Sequence, residues 1–402
     1  MERVYLFPLL ADLAGIKRQS LRDLGARLRS LAQHVSILDD PPSDHTAVMA
    51  SDAAAARSRK RYSDLGLVRT DAKRCDPAIY CYRPYRSKRP GPRSARREFL
   101  ENLLHEAKLK NVSGRLAEAA ADGRGIKSEL DWWDRAFAAH IACQCDQLQA
   151  DYGLIDRPGA PAQVLEKQVD ITKQYAAQGN RIGKAVAVYS QATTIRSQAF
   201  YEPTAGAPSG IILREALGMA DLCRDTVADY DSFGDQVVHH QSLYIRTRIV
   251  VDAKEGMSSL RRDVLRMIEL SLALNHDRFW IDDCRSISGY FILFGRREEA
   301  LECLAYLAQL IDGLPYASIF TQTSTLLKMM AWARMSGLPW RELIAPFCRL
   351  LNEHRVVYFL NRFELEFGPL STFINQAAIR RHLPFRFASR PATLRYFDQL
   401  FS

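Results

Sequence analysis

Apolar residues recur at spacings of three and four along most of this chain, and the stretches that lack this rhythm mark its divisions. Over residues 9–37, Leu21, Leu24, Leu28, Leu31 and Val35 form one stripe, with Arg18, Arg22 and Arg29 largely off it, which predicts an amphipathic helix with a basic face. Pro8 and Asp12 interrupt the apolar patch before it, so no signal peptide is expected. Residues 39–56 join a Pro-Pro break to small polar residues and an alanine run, the composition of a linker. From Ser94 the helical rhythm returns. Leu100, Leu103, Leu104 and Ala107 make one stripe; Ser128 and Asp131 then open a helix carrying Leu130, Trp133, Phe137, Ile141 and Leu148. Gly- and Pro-rich breaks at 157–161, 179–183 and 203–210 fall where helices of an αα architecture would be joined.

The C-terminal half repeats one layout three times: a helix, a turn containing glycine, and a second helix with an apolar stripe. Gly256 precedes Leu260, Val264, Met267 and Ile268; Gly295 precedes Ala300, Leu304, Leu307, Ala308 and Ile311; Gly337 precedes Leu343, Phe347, Leu350 and Leu351. One hairpin cannot bury its own apolar faces, so a period near 40 predicts hairpins stacked into an α-solenoid. The middle unit, Gly295-Arg-Arg-Glu-Glu-Ala300-Leu-Glu-Cys-Leu304-Ala-Tyr-Leu307-Ala308 with Ser288 and Phe291 on the helix before it, resembles a tetratricopeptide repeat. Pro315 comes later than that family's closing proline, and the period exceeds its 34 residues. The resemblance implies a concave surface for a peptide or protein and says nothing of a reaction.

Charge divides the chain where the rhythm does. Residues 1–110 hold 22 Lys and Arg against 13 Asp and Glu, while the remainder holds 33 of each, so the whole net charge of +9 lies at the front. Its centre is Arg57–Arg97, with 14 basic residues against three Asp, tyrosines at 62, 80, 82 and 85, and prolines at 77, 84, 90 and 92. Arginines pair phosphates and tyrosines stack on bases, so Arg59, Lys60, Arg61, Tyr80, Tyr82, Arg83, Tyr85, Arg86, Lys88 and Arg89 are the candidate contacts for nucleic acid or another polyanion. Earlier in the chain, Leu10-Ala11-Asp-Leu13-Ala14-Gly15-Ile16-Lys-Arg-Gln-Ser-Leu21-Arg-Asp-Leu24 resembles the helix-turn-helix of bacterial DNA-binding regulators. That resemblance would turn Lys17, Arg18, Gln19 and Arg22 toward a major groove.

Other motifs reduce to ordinary structure. Cys75 and Cys81, and Cys143 and Cys145, lack the spacing that grips zinc, and the cysteines are expected as reduced, mostly buried thiols. His239-His240 read as one surface and one core histidine. Gly179 to Lys184 is too short for a phosphate-cradling loop and follows a helix. Asp282-Asp283-Cys-Arg-Ser286 resembles the start of the second magnesium motif of class I terpene synthases, with Asp39-Asp40 and Arg395-Tyr396 as its loose companions. Tyr290 replaces the last acidic ligand, and the plainer reading makes Asp282 and Asp283 first-turn carboxylates of a helix. The aromatic tail, with Phe385, Phe387, Tyr396, Phe397 and Phe401, would cap the last apolar face.

These readings combine into an all-α protein: a helical-hairpin, tetratricopeptide-like α-solenoid with a basic, partly irregular N-terminal segment. The expected divisions are basic helices over 1–38, a linker and Tyr/Arg-rich segment over 39–93, helical hairpins over 94–210, and repeats with a C-terminal cap over 211–402. The expected function is a non-enzymatic, cytoplasmic interaction or regulatory protein, with a peptide or protein on the solenoid and a polyanion, nucleic acid first, on the basic front. No transmembrane segment, metal or cofactor is expected. The alternatives are a DNA-binding regulator with a repeat sensor domain and an all-α enzyme acting on a diphosphate or RNA.

Overall fold

The C-terminal half of the chain is built from helical hairpins whose turns close in one way. The computed structural model describes residues 4–35, 160–201, 208–229, 233–254, 259–314, 319–354 and 357–374, with a few helical positions between 121 and 147. Among the described residues every regular element is helical, so the fold class is all-α. In chain order the helices are α1 (Leu6–Ala14), α2 (Leu24–Gln33), α3 (Ala160–Ala177), α4 (Arg181–Tyr201), α5 (Gly210–Val227), α6 (Phe233–Ala253), α7 (Leu260–Leu274), α8 (Asp277–Leu293), α9 (Arg297–Gly313) and α10 (Ile319–Met335). A 3-10 turn at Trp340–Leu343 leads into α11 (Ile344–His354), followed by α12 (Val357–Phe367) and the short α13 (Ser371–Ile374).

The glycine turns expected from sequence end α8 and α10. Gly295 and Gly337 both have φ of 71°, a left-handed conformation that a side chain disfavours. In each, the next amide reaches back to close the helix: Arg296 N–H donates to Phe291 O at 2.8 Å and Leu338 N–H to Ala333 O at 2.9 Å. The stripes that follow are core. Ala300, Leu304, Leu307, Ala308 and Ile311 are fully buried, as are Phe347 and, within a few per cent, Leu343, Leu350 and Leu351. Each such leucine contributes about 1.5–3 kcal/mol through burial.

Successive helices alternate between an inner and an outer layer. The inner helices α4, α6, α8, α10 and α12 pack each on the next, and α12 also packs on α4, so the inner layer closes into a five-membered ring. The outer helices α3, α5, α7, α9 and α11 lie against its outside. Fifteen of the 21 residues of α4 are buried, so this helix is enclosed on both its apolar and its polar sides. Small residues such as Ala185, Ala192 and Ala199 let its neighbours approach.

The N-terminal helices clamp the outside of this assembly. α1 packs on α9 and α10, and α2 on α7 and α9. Pro8 does not break α1, because it occupies the first turn, where its missing N–H has no helical partner to lose. The first-turn amides, which have no partner within the helix, are capped from afar: the Asp312 carboxylate accepts from Leu6 N–H at 2.9 Å and Phe7 N–H at 2.8 Å. Arg27 pairs through two nitrogens with Glu302. The single helix expected over 9–37 is therefore two, divided by a non-helical segment at 16–20. Gly15, at φ 67°, ends the first, and Gln309 Oε1 accepts from Gln19 N–H at 3.1 Å in the segment between them. The expected linker, basic segment, first hairpin stripe and aromatic tail lie outside the described residues.

Candidate functional site: a cationic ring interior

The five inner helices bring together charged side chains that are far apart in sequence. Arg196 comes from α4, Arg248 and Asp252 from α6, Asp282 and Arg285 from α8, Lys328 from α10, and Tyr358, Arg362 and Glu366 from α12. Their polarity is unusual for a layer enclosed by helices, where charges are ordinarily absent unless paired.

Asp252 is the hub. Arg196 and Arg362 both pair with its carboxylate, the latter at 3.0 Å, so one acid on α6 joins α4 to α12. Arg196 donates to Tyr358 Oη at 3.2 Å and Arg362 to the same oxygen at 3.1 Å. The Phe200 ring lies between these cations, 5.6 Å from the Arg196 guanidinium carbon and 4.5 Å from that of Arg362. On the other side, Arg285 donates to Ser324 Oγ at 3.1 Å and lies 3.7 Å from Asp282, which also accepts from Arg278 at 3.2 Å. Arg248 donates to Tyr244 Oη at 3.0 Å, and the guanidinium carbons of Arg248 and Arg285 sit 5.2 and 5.8 Å from the Tyr244 ring centre.

Lys328 completes the interior from α10. Its ammonium rests against bare backbone on α8, where a Cβ on Gly289 would collide with Nζ. No carboxylate among the described residues pairs with it. Burial first, then repulsion from Arg362, Arg248 and Arg285, lowers its pKa to about 7, against the attraction of Asp252. The surrounding ionisations respond in kind. Burial raises Asp252, but Arg196, Arg362 and Arg248 outweigh it and hold the carboxyl below its ordinary range. Burial also pushes the Tyr358 phenol up, and Arg196 and Arg362 more than reverse it. Glu366 is raised, burial exceeding the pull of Arg362, Arg334 and Lys328.

Although burial heads the causes acting on Arg362 and Glu366, these side chains keep 23% and 41% of their surface accessible to water.

The sequence-derived candidates fall elsewhere. Lys17, Arg18 and Arg22 are exposed together in the segment between α1 and α2, with Arg18 5.8 Å from the Phe7 ring centre. They do not lie on a recognition helix, because residues 16–20 are not helical and α2 begins at Leu24. Arg59, Lys60, Arg61, Tyr80, Tyr82, Arg83, Tyr85, Arg86, Lys88 and Arg89 lie outside the described residues.

His239 and His240 are both buried, contrary to the expected division, because α6 is an inner helix. His240 Nε2 lies 2.8 Å from Asp283 Oδ1, and His239 is lowered to about 4 by burial and then by Arg266, Arg224 and His240. Asp282 and Asp283 belong to the second turn of α8 and are spent on Arg278, Arg285 and His240, so they are internal ion-pair partners. Among the described residues no group of His, Cys, Asp and Glu gathers to hold a metal ion, and no helix is long and apolar enough to cross a membrane. Cys143, Cys223, Cys284, Cys303 and Cys348 are free and buried. This is an all-α protein of paired, layered helices enclosing a cationic interior. The sequence matches no protein-family model, and no curated protein matches it.

Proposed function

We propose that the chain is a non-enzymatic binding protein in which a tetratricopeptide-like helical scaffold receives an anionic partner group on its inner face. In this reading a peptide or protein is recognised through its carboxylates or phosphates, and the basic N-terminal region engages a polyanion, nucleic acid first. The observation that carries the reading is the inner lining itself: Arg196, Arg248, Arg285, Lys328 and Arg362 on five helices, against Asp252, Asp282 and Glu366. Lys328, buried beside these arginines with no ion-pair partner among the described residues, is the cation that an anionic group would complete. The repeat resemblance around Gly295 and its recurrence at Gly337 support a binding scaffold, and the front-loaded charge supports a separate polyanion contact.

A regulator, with the repeats as sensor, is the second reading, favoured by the docking of α1 and α2 on α7, α9 and α10, which links the exposed Lys17, Arg18 and Arg22 to the scaffold. Fluorescence anisotropy with duplex and single-stranded nucleic acid over a salt series tests the polyanion half. Binding that weakens steeply with salt and disappears on deletion of residues 57–97 supports it; salt-insensitive binding, or none at low salt, removes it.

A further inference from the structure

We infer that the outer face of α7, α9 and α10 is a docking surface for a basic amphipathic peptide, and that its occupant is the chain's own α1–α2 segment, residues 4–35. The segment is a ligand carried in cis, able to leave while the ring of inner helices stays folded. This surface lies outside the ring and does not depend on the anion reading above.

α1 and α2 have 9 and 10 residues, and they pack on the scaffold and hardly on each other. Isolated helices shorter than about 12–15 residues are marginal in water, so these two owe their helical form to what they dock on. Leu6, Leu10, Leu24, Leu28, Leu31 and Val35 are the buried residues of the segment's stripes. Its polar recognition comes from α9 alone. Asp312 accepts from the Leu6 and Phe7 amides, Gln309 Oε1 accepts from the Gln19 amide, and Glu302 pairs with Arg27, whose Nη2 donates at 2.7 Å. At spacings of seven and three, Glu302, Gln309 and Asp312 share one side of that helix. The amide contacts read a backbone path; Arg27 and Gly25 read the sequence. A Cβ on Gly25 would lie 2.7 Å from Leu272 Cδ2 and 3.0 Å from Trp280 Cη2, so the seat beside α7 and α8 admits no side chain there without a shift. Charge matches as well: residues 4–35 hold five Lys and Arg against two Asp, and α9 meets them with Glu302 and Asp312. Residues 36–120 separate the segment from the next described position, so no ring helix is interrupted when it leaves.

The test measures fluorescence anisotropy of a dye-labelled synthetic peptide of residues 4–35 mixed with the full chain. In one variant of the full chain, Leu28→Asp puts a carboxylate at a fully buried position of the cis segment and leaves α7, α9 and α10 unaltered. The expected result is saturable binding to the Leu28→Asp chain and at least tenfold weaker binding to the wild-type chain, whose own segment competes. A Gly25→Leu peptide should bind the Leu28→Asp chain at least tenfold more weakly than the unaltered peptide. Adding Glu302→Arg to that chain should weaken the unaltered peptide and restore binding to an Arg27→Glu peptide. No binding to the Leu28→Asp chain, or loss of hydrogen-exchange protection in its α4 and α6, makes the segment an integral part of the fold and overturns the proposal. Equal binding to both chains, equal binding of the Gly25→Leu peptide, or a charge swap without rescue overturns it too. Light scattering should give a monomer for the wild-type chain; a dimer that Leu28→Asp dissolves would assign the occupant to a second copy and overturn docking in cis.

Discussion

Arg362 on α12 donates to Asp252 on α6 at 3.0 Å, a hydrogen-bonded ion pair between residues 110 apart in sequence. Arg196 of α4 pairs with the same carboxylate, so the acid sits where three inner helices meet and where the ring closes. Removing it leaves two guanidinium groups facing each other in a protein-walled space. Asp252→Asn is therefore expected to lower stability by roughly 2–3 kcal/mol, below the usual cost of breaking a buried pair because Arg362 keeps contact with water. Urea denaturation measures this, and added phosphate should recover part of the loss by supplying the missing charge.

Lys328 gives the opposite sign. Its pKa in the folded chain, about 7, lies below its ordinary value of 10.5. Between those limits the unfolded chain binds more protons, so stability rises with pH across this window, and below it the full cost of the buried ammonium is present. Lys328→Met should raise the melting temperature most at pH 6, with the gain shrinking as the pH climbs from about 7 to 10.5. A gain that grows with pH would contradict the enclosed environment assigned to this lysine.

The clamp formed by α1 depends on a cap supplied from α9. Asp312→Ala removes the acceptor for two amides and should cost about 1 kcal/mol, in the range for a lost helix cap. The effect is local: hydrogen exchange should speed up over residues 6–14 while α4 and α6 change little. Uniform acceleration across the protein would mean that the clamp is integral to the ring.

For the basic front, the absence of helix over 16–20 makes a specific prediction about Arg18 and Arg22. Side chains on a segment without a recognition helix contact phosphates in preference to base edges. Arg18→Ala and Arg22→Ala should weaken nucleic-acid binding equally on all sequences, with a smaller salt slope for each. Loss confined to one DNA sequence would restore the helix-turn-helix reading.

The outer half of this architecture was legible because it obeys a period. Leu304, Leu307 and Ile311 recur at helical spacing and are core; Gly295 and Gly337 sit where a left-handed turn is needed. The ring interior was not legible, since Arg196, Arg248, Arg285, Lys328 and Arg362 occur singly on five helices, and nothing local distinguishes each from a solvated arginine or lysine. One signal was available: the polar run Thr321 to Thr325 between Phe320 and Leu326 is too uniformly uncharged for an outward face, and all five residues are buried. The histidine assignment failed for the same reason, as the sequence does not reveal that α6 is covered on both sides. The helix-turn-helix likeness placed a helix where a non-helical segment carries the Gln19–Gln309 hydrogen bond.

The central claim, an inner face that receives an anionic group beside Lys328, is tested most directly by proton uptake. Titration calorimetry with succinate and with sulfate, neither of which titrates near pH 8, is run there in two buffers of different ionisation enthalpy. At that pH Lys328, with its pKa of about 7, is mostly neutral, and an anion beside it restores the proton. The account predicts binding accompanied by net proton uptake that is abolished in Lys328→Met. No binding of either anion, or binding with the same enthalpy in both buffers, would contradict it.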